Sequence, residues 1–568
     1  MGGFRSFSRR RVAATLALSV AFAVGLAVRW AIETPVYALG SDHVQHLLLA
    51  KSLAAGEGFH SGGSQHPDLT RPPLIPVLTA GLSWLTGDVD TAAKILVLLA
   101  SALVVVPLYV LARDTFGRRA GLAALPIGAL SGLVATAGLM TEPLFVLFGL
   151  SAAAATWSAV RRGRFAGLLA AGALSGACAL ARFEGLALVP PLALWAAVGA
   201  GRPYRDPATR TRALFALALV GGALSVYGPY AAWVSVKLGR WEPAPGIQYL
   251  RDTRTVSDRL RLRDVEEGPH VEWFERSQYL VAADHRRRIL ETYFTEGTLL
   301  APDPGMAGTD GPIDSEATPP RWIDLAKRRA AITLRNLRDI PYNLHAAGLL
   351  PVVAVVLGAA GVTAALRTRR SRRALGYLAS LAAVAFAPAL SHVEARFLYL
   401  PFALGLVVSA GGWGWLARRL PLPRGGAARV VRVAVHVGIA LAIAYTGVRR
   451  HHMGHSGRFQ VASFRKALAP VVARELPPGP ILAVQMHVPF WAGRPYRPIP
   501  VGDIGVVLDY ARSEGAAGLV FDDKNDLPRR PHLSVLMQDP PPDGLRLVLS
   551  RPLPEGGEVR VFALSDPL

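Results

Sequence analysis

The chain has 568 residues, of which 51% are hydrophobic and only 18% are charged, and its mean hydropathy is +0.32. Soluble proteins are usually about a quarter charged, so this composition excludes a disordered chain, a collagen-like chain and a soluble nucleic-acid-binding protein. Long stretches with almost no charge alternate with arginine clusters, which is typical of a protein that crosses a membrane many times.

Eleven apolar stretches are long enough to predict membrane-spanning helices, each of which needs about 20 residues. They lie at residues 12–31, 91–112, 120–139, 142–160, 165–181, 185–200, 213–236, 345–366, 374–391, 397–417 and 433–448. A further apolar run at 72–85 is too short to span a membrane, and the prolines at its beginning break the first helical turn. We therefore predict that this run is a re-entrant or interfacial helix.

Basic residues indicate which loops face the cytoplasm, because short cytoplasmic loops are rich in Lys and Arg. With a cytoplasmic N-terminus, the inner segments are 1–11, 113–119, 161–164, 201–212, 367–373 and 418–432. These segments hold 24 of the 62 basic residues and two of the 40 acidic ones, so they carry the whole net charge of +22. The basic character of the chain therefore indicates membrane topology, and the basic residues are not gathered on one face that nucleic acid would bind.

The heavy use of Ala, Arg, Gly and Pro is typical of a GC-rich bacterial genome. We expect the protein in a bacterial cytoplasmic membrane, with its C-terminal domain outside the cytoplasm. Residues 1–448 are predicted to form the transmembrane domain, with large outer loops at 32–90 and 237–344.

Residues 449–568 are predicted to form a small extracytoplasmic α/β domain. Its sequence pattern indicates helices at 458–475 and 504–513 and strands at 481–484, 518–521, 545–549 and 558–563. The domain has no glycine-rich phosphate loop and no nucleophile elbow, which favours a packing or acceptor-binding role over a second active site.

Two carboxylates on the predicted outer face are the first candidate catalytic residues. Asp42 begins a helical stretch after the first span, where it either caps the helix or stays ionised beside the helix N-terminus as a general base. Glu142 opens a span between Thr141 and Pro143. A carboxylate at membrane depth costs about 2.5–3.5 kcal/mol, so we expect Glu142 to face the protein interior or a wet cavity.

Further charged residues are predicted on the same face: His43, Arg71, Arg182, Glu184, His392, Glu394 and Arg396. Three guanidinium groups can hold a phosphate through paired hydrogen bonds. A local ion pair, or a solvated loop residue for Arg71, is the alternative interpretation of these residues.

Several short motifs follow one another along the first part of the chain. They are Asp42 after the first span, Gly56-Glu57-Gly58-Phe59, Arg71-Pro72-Pro73-Leu74, Thr141-Glu142-Pro143-Leu144-Phe145 and Arg182-Phe183-Glu184-Gly185. In this order they resemble the motifs of the GT-C glycosyltransferases, in the group that includes the protein O-mannosyltransferases and the lipid A aminoarabinose transferases. The resemblance covers mainly residues 12–200, and the stretch from His392 to Pro401 is similar to a later element of the group.

The resemblance implies a polyprenyl-phosphate-linked sugar as donor and a lipid, glycan or protein acceptor at the outer face of the membrane. It implies that Asp42 is the catalytic carboxylate of the first outer loop and that Glu142 is the second acidic position. It places Arg71 near the donor phosphate, and Arg182 and Arg396 are further candidates for that contact. His43, Glu184, His392 and Glu394 are expected to support the site.

The expected reaction is a single displacement in which Asp42 deprotonates the acceptor hydroxyl, so the anomeric configuration inverts. No cofactor is required, and a divalent metal is compatible with the resemblance. The family often has an acidic pair in the first loop, whereas here Asp42 is followed by His43, which weakens a metal role that needs adjacent carboxylates.

Two alternatives belong to other functional classes. A non-catalytic envelope assembly protein would bind partners through its outer domains, and changing Asp42 would not affect it. A transporter or flippase of a lipid-linked sugar would carry charged residues near mid-membrane in broken helices. The predicted spans have few charged residues in their middle parts, and the polar residues gather at one face of the membrane. This distribution favours a reaction at that face over transport through the membrane.

Overall fold

The computed structural model describes most of the chain, in separate ranges of residues. These are 2–32, 41–60, 71–131, 141–199, 209–238, 241, 280–281, 333–334, 337–338, 352–391, 395–419, 426–501, 503–524, 526–527, 531–554 and 556–565. Predicted residues His392 and Glu394 lie outside these ranges, as does most of the long loop 237–344.

The described chain forms two compact units. The first unit holds the long apolar helices. They are α1 (Gly2–Ile32), α3 (Leu74–Thr86), α4 (Val89–Leu103), α5 (Val105–Phe116), α6 (Arg118–Leu130), α7 (Glu142–Arg162), α8 (Phe165–Ala181), α9 (Val189–Gly199), α10 (Thr209–Leu238), α11 (Val352–Leu366), α12 (Arg369–Ser391), α13 (Tyr399–Arg419) and the first part of α14 (Gly426–Glu475). Two 3₁₀ helices, Phe183–Leu188 and Ala395–Leu398, precede α9 and α13.

Five helical segments are long and apolar enough to cross a membrane: Val12–Ala31, Val89–Phe116, Glu142–Arg162, Thr211–Lys237 and Tyr399–Arg419. Shorter apolar helices accompany them, including Phe165–Ala181 and Val353–Leu366. The predicted fold class, an α-helical polytopic membrane protein with a small C-terminal α/β domain, is confirmed. The exact number of eleven spans stays a prediction.

The apolar run at 72–85 forms α3, a helix of 13 residues that begins after Pro73. At 1.5 Å per residue it is about 20 Å long, which is shorter than the hydrocarbon core of a bilayer. It ends at Gly87, whose φ of 84° is a left-handed conformation that glycine adopts readily. Asp88 then caps α4 by accepting a hydrogen bond from the Thr91 amide at 2.8 Å.

The predicted helix 91–112 is interrupted at Val104, which separates α4 from α5. Pro107 gives the physical reason, because it has no N–H to donate to the carbonyl of Leu103 and its ring crowds that carbonyl. The two helices together still make an apolar segment of 28 residues.

A buried arginine that the sequence analysis did not single out connects three helices of the first unit. Arg29 of α1 is completely buried and donates from Nε to the Ser101 hydroxyl at 2.6 Å. Its two Nη atoms donate to the carbonyls of Gly25, Gly128 and Ala129 at 3.0 to 3.3 Å. The last two carbonyls belong to the final turn of α6, where a cation complements the helix dipole.

Helices α8 and α10 pack at very short range through glycine. A Cβ atom built at Gly222 of α10 would lie 2.2 Å from the Leu169 carbonyl oxygen of α8, and one built at Gly172 would lie 2.0 Å from that of Leu219. Small residues at such contacts let two membrane helices approach closely.

We expect Gly222→Ala to destabilise the protein by about 1–3 kcal/mol, because the added methyl group must push α8 and α10 apart. Gly221→Ala is the matched control, since a Cβ atom at Gly221 has no neighbour within 4 Å. Thermal unfolding of the purified protein in detergent measures both variants. Equal melting temperatures for the two variants would contradict the close packing.

The second unit contains α2 (Ser41–Ala54), the end of α14, and the C-terminal domain. A five-stranded sheet is formed by β2 (Ile481–Ala483), β3 (Tyr496–Pro498), β5 (Gly518–Asp522), β6 (Leu545–Pro552) and β7 (Glu558–Leu564). Its strand order is β3-β2-β5-β7-β6, in which β2 pairs in parallel with β3 and β5, and β7 pairs antiparallel with β5 and β6.

The four strands predicted in the C-terminal domain and the helix at 504–513 are confirmed. The predicted helix at 458–475 is not separate: it is the end of α14, which runs without a break from Gly426 through the predicted span at 433–448. Asp503 caps helix α16 (Ile504–Ser513), and its side chain accepts from the Val506 amide at 3.0 Å. The sequence pattern did not predict β3, the short α15 (His487–Trp491), or the small parallel pair of β1 (Leu280–Val281) with β4 (Pro500–Val501). Short segments like these carry too few residues for a periodic pattern.

Candidate functional site

Glu142 and Arg182 form a buried ion pair where α7 begins and α8 ends. Glu142 is 4% exposed, and its Oε1 accepts from Arg182 Nη1 at 2.6 Å. Its Oε2 accepts from the amide and the hydroxyl of Thr141 at 3.2 and 3.1 Å. The expectation that Glu142 faces the protein interior is therefore confirmed by its burial.

Arg182 also contacts a second carboxylate and two aromatic rings. Its Nη2 donates to Glu184 Oε1 at 3.1 Å. Its guanidinium carbon lies 5.8 Å from the ring centroid of Phe145 and 5.2 Å from that of Phe397. We call Glu142, Arg182 and Glu184 the Arg182 cluster. It joins the Phe183–Leu188 and Ala395–Leu398 segments, which are distant in sequence.

The backbone of Arg71 is connected to the Arg182 cluster through two aromatic residues, Tyr230 and Phe183. The Tyr230 hydroxyl donates to the Arg71 carbonyl oxygen at 3.1 Å. The Tyr230 ring stacks on Phe183, with 6.0 Å between centroids, and Phe183 directly follows Arg182. The structure thus brings Arg71 and Arg182 to the same end of the first unit.

The other predicted site residues are placed less completely. Asp42 lies in the first turn of α2, in the second unit, and its side chain is outside the described part of the chain. His43 follows it and is partly buried. Arg396 lies in the 3₁₀ helix Ala395–Leu398, with its side chain also outside the described part.

A buried histidine of the second unit, His487, was missed by the sequence analysis. It begins α15, is 2% exposed, and lies beside Trp491 with 5.8 Å between the ring centroids. Burial above all, and then the charges of Arg465 and His43, hold the pKa of His487 well below its usual value of 6.5. Only its tertiary environment distinguishes it from the chain's other histidines.

A divalent metal would need several donor side chains close together. In the ranges that the structure describes, no group of three or more His, Cys, Asp or Glu side chains could hold a metal ion. The first loop offers Asp42 followed by His43 in place of two adjacent carboxylates. A divalent metal at the site therefore stays a prediction.

Comparison with known proteins gives a family match over part of the chain. Residues 70–225 match the family model described as dolichyl-phosphate-mannose-protein mannosyltransferase, and this range includes the Arg182 cluster. A comparison with curated protein sequences gives no match.

Three solved structures share the fold at 15% sequence identity. The oligosaccharyltransferase of Archaeoglobus fulgidus tethered to an acceptor peptide has a TM-score of 0.54 and matches over 97% of this chain and 74% of its own. The same enzyme with zinc and sulfate has a TM-score of 0.52, over 89% and 68%. ArnT from Cupriavidus metallidurans bound to undecaprenyl phosphate has a TM-score of 0.51, over 96% and 97%.

The family match and the shared fold confirm the predicted resemblance to the GT-C glycosyltransferases. The chain therefore shares the fold of these solved structures, and residues 70–225 are similar to the mannosyltransferase family.

We expect Arg182→Met to destabilise the protein by about 3–5 kcal/mol, because it leaves Glu142 buried without its counter-ion. Adding Glu142→Gln to that variant should recover part of the loss, since the uncompensated charge is then removed. Melting temperatures of the two single variants and the double variant give the coupling between the residues. Strictly additive losses would contradict a direct ion pair.

We expect His487→Phe to change the pH dependence of stability. The unfolded chain binds a proton at His487 below about pH 6.5, whereas the folded chain, with its lowered pKa, does not. Wild-type stability therefore falls as the pH drops below 6.5, by at most about 1.4 kcal/mol per pH unit from this group. The melting-temperature difference between His487→Phe and wild type should widen in favour of the variant from pH 8 to pH 5. A constant difference would show that His487 titrates normally.

Proposed function

We propose that this protein is an inverting glycosyltransferase that moves a sugar from a polyprenyl-phosphate donor to a lipid, glycan or protein acceptor. The reaction takes place at the outer face of a bacterial cytoplasmic membrane. The observation that carries the proposal is the buried Arg182 cluster at one end of the helices, inside the region that matches the mannosyltransferase model. The undecaprenyl phosphate bound to the structurally similar ArnT supports the class of donor.

Asp42 is the proposed general base. It takes the proton from the acceptor hydroxyl while that oxygen attacks the anomeric carbon, and the bond from that carbon to the phosphate oxygen breaks. The leaving group is polyprenyl phosphate, whose negative charge needs stabilisation more than protonation. A single displacement of this kind inverts the anomeric configuration. His43 supports Asp42 from the next position in α2.

Arg71 is the proposed main contact of the donor phosphate. One guanidinium about 4 Å from a phosphate contributes roughly 4 kcal/mol at an effective dielectric constant of 20. The Tyr230 contact holds the Arg71 backbone in place for this role. Arg396 is a second proposed phosphate contact, with His392 and Glu394 in the same loop as supporting residues.

The main role proposed for Arg182 is to position Glu142. Its guanidinium is shared by two carboxylates, so a donor phosphate would compete with Glu142 and Glu184 for it. We therefore propose that Arg182 mainly holds Glu142 at the site, with contact to the phosphate as a secondary role. Glu142, the second acidic position, then fixes the beginning of α7 beside the donor.

The proposed organisation keeps residues 1–448 as the transmembrane domain, with a cytoplasmic N-terminus and the first outer loop at 32–90 carrying Asp42. Residues 449–568 form the proposed extracytoplasmic domain. The packing of α2 against α15 within the second unit supports a close relation between that first loop and the C-terminal domain.

We expect Asp42→Asn to abolish sugar transfer in a deletion strain complemented with the variant. One envelope glycan should lose a sugar while its polyprenyl-phosphate donor accumulates, and mass spectrometry of glycans and lipids measures both. Asp88→Asn is the matched control, because asparagine caps a helix as well as aspartate does. If Asp42→Asn reaches the membrane and restores everything that wild type restores, the protein is an assembly protein or a transporter.

A further inference from the structure

Within the second unit, α15 lies at the junction between the sheet and the helix that carries Asp42. Strand β2 ends at Ala483, and α15 begins four residues later at His487. Helix α2 packs against α15. Because β2 runs parallel to both of its neighbours, α15 follows the carboxyl end of a parallel strand, which is where open α/β sheets usually bind ligands. We call His43, His487 and Trp491 the α2–α15 junction.

Three nitrogen atoms on α15 are buried without a hydrogen-bond partner among the described residues. They are Nδ1 and Nε2 of His487 and Nε1 of Trp491. The two side chains lie one helical turn apart on the same short helix, with 5.8 Å between their ring centroids. Buried polar side-chain atoms are nearly always hydrogen-bonded, so three unsatisfied atoms in one place call for a partner.

The neighbouring charges limit what that partner can be. Arg465 donates to the buried Asp522 carboxylate at 2.9 Å, so this guanidinium is already engaged. The Lys466 ammonium lies 5.8 Å from the centre of the Trp491 ring. With the Lys466 ammonium beside the Trp491 ring, a cationic ligand would be repelled.

The hydrogen-bonding capacity of the two rings points to hydroxyl groups. The Trp491 indole only donates, whereas a neutral imidazole donates from one nitrogen and accepts at the other. A hydroxyl group both donates and accepts, so it satisfies either nitrogen of His487 as well as the indole. A molecule with several hydroxyl groups on one face therefore fits all three atoms.

We propose that His487 and Trp491 form a carbohydrate-binding subsite at the α2–α15 junction, where ring hydroxyls of the transferred sugar or of a glycan acceptor satisfy their nitrogens. This inference rests on the proposed function, since α2 also carries Asp42, the base that receives the acceptor proton. It gives the C-terminal domain a direct part in holding the reactants beside Asp42.

The test uses full-length purified protein in detergent and two defined reagents. The donor is the polyprenyl-phosphate sugar purified from the Asp42→Asn strain, and the acceptor source is membranes of the deletion strain. Transfer is measured with donor varied at fixed membrane, and with membrane varied at fixed donor. The variants are His487→Phe, Trp491→Phe and His487→Gln, with Tyr496→Phe as a control that removes another buried polar group from the same domain.

His487→Phe and Trp491→Phe should fold with melting temperatures at or above that of wild type, because they remove unsatisfied polar atoms and keep a ring. Each should raise one apparent KM by about tenfold. A rise in the membrane arm assigns the subsite to the acceptor, and a rise in the donor arm assigns it to the donor sugar. His487→Gln keeps a donor and an acceptor and should recover part of the loss, whereas Tyr496→Phe should behave as wild type.

Stable variants with both KM values unchanged would overturn the subsite and leave His487 and Trp491 as core packing. A fall in kcat alone would also overturn it, because lost binding of a sugar must appear in a KM. Failure of the proposed function gives a different result, since wild type would then transfer no sugar in either arm.

Discussion

The ion pair between Arg182 and Glu142 is the contact on which the candidate site depends. Charged groups in a membrane-embedded bundle must be paired, because an uncompensated charge in a low dielectric is very unfavourable. The pair connects the end of α8 to the beginning of α7. Arg182 also pairs with a second carboxylate, that of Glu184, which lies in the 3₁₀ helix that follows α8. The ring of Phe397 against the same guanidinium brings in a segment more than 200 residues away.

The same need for satisfied polar groups explains other features of the first unit. Arg29 is completely buried, and its donors meet a hydroxyl and three carbonyls, two of which terminate α6. Glycine at the α8–α10 contact permits backbone atoms to approach without a Cβ clash. Because the bilayer offers no hydrogen-bond partners, the carbonyl groups at helix ends and the buried cations hydrogen-bond to one another. Close van der Waals contacts between helices take the place of the hydrophobic effect in holding the helices together.

The second unit contains segments that lie far apart in the sequence. Helix α2 lies near the beginning of the chain, yet it packs against α15 of the C-terminal domain more than 400 residues later. The α2–α15 junction joins the proposed base to a domain that has no catalytic motif of its own, which is a physical reason for the chain to carry that domain.

The sequence by itself determined the membrane class, the basic-residue pattern, the candidate residues of each loop and most elements of the C-terminal domain. These follow from local properties: apolar length, charge and hydrophobic period. Only the tertiary structure decided that Arg182 is shared between Glu142 and Glu184, that Pro107 divides one predicted helix, and that Arg29 and His487 are buried. Pairing and burial depend on which segments come into contact in the folded protein, and the order of residues along the chain does not specify those contacts.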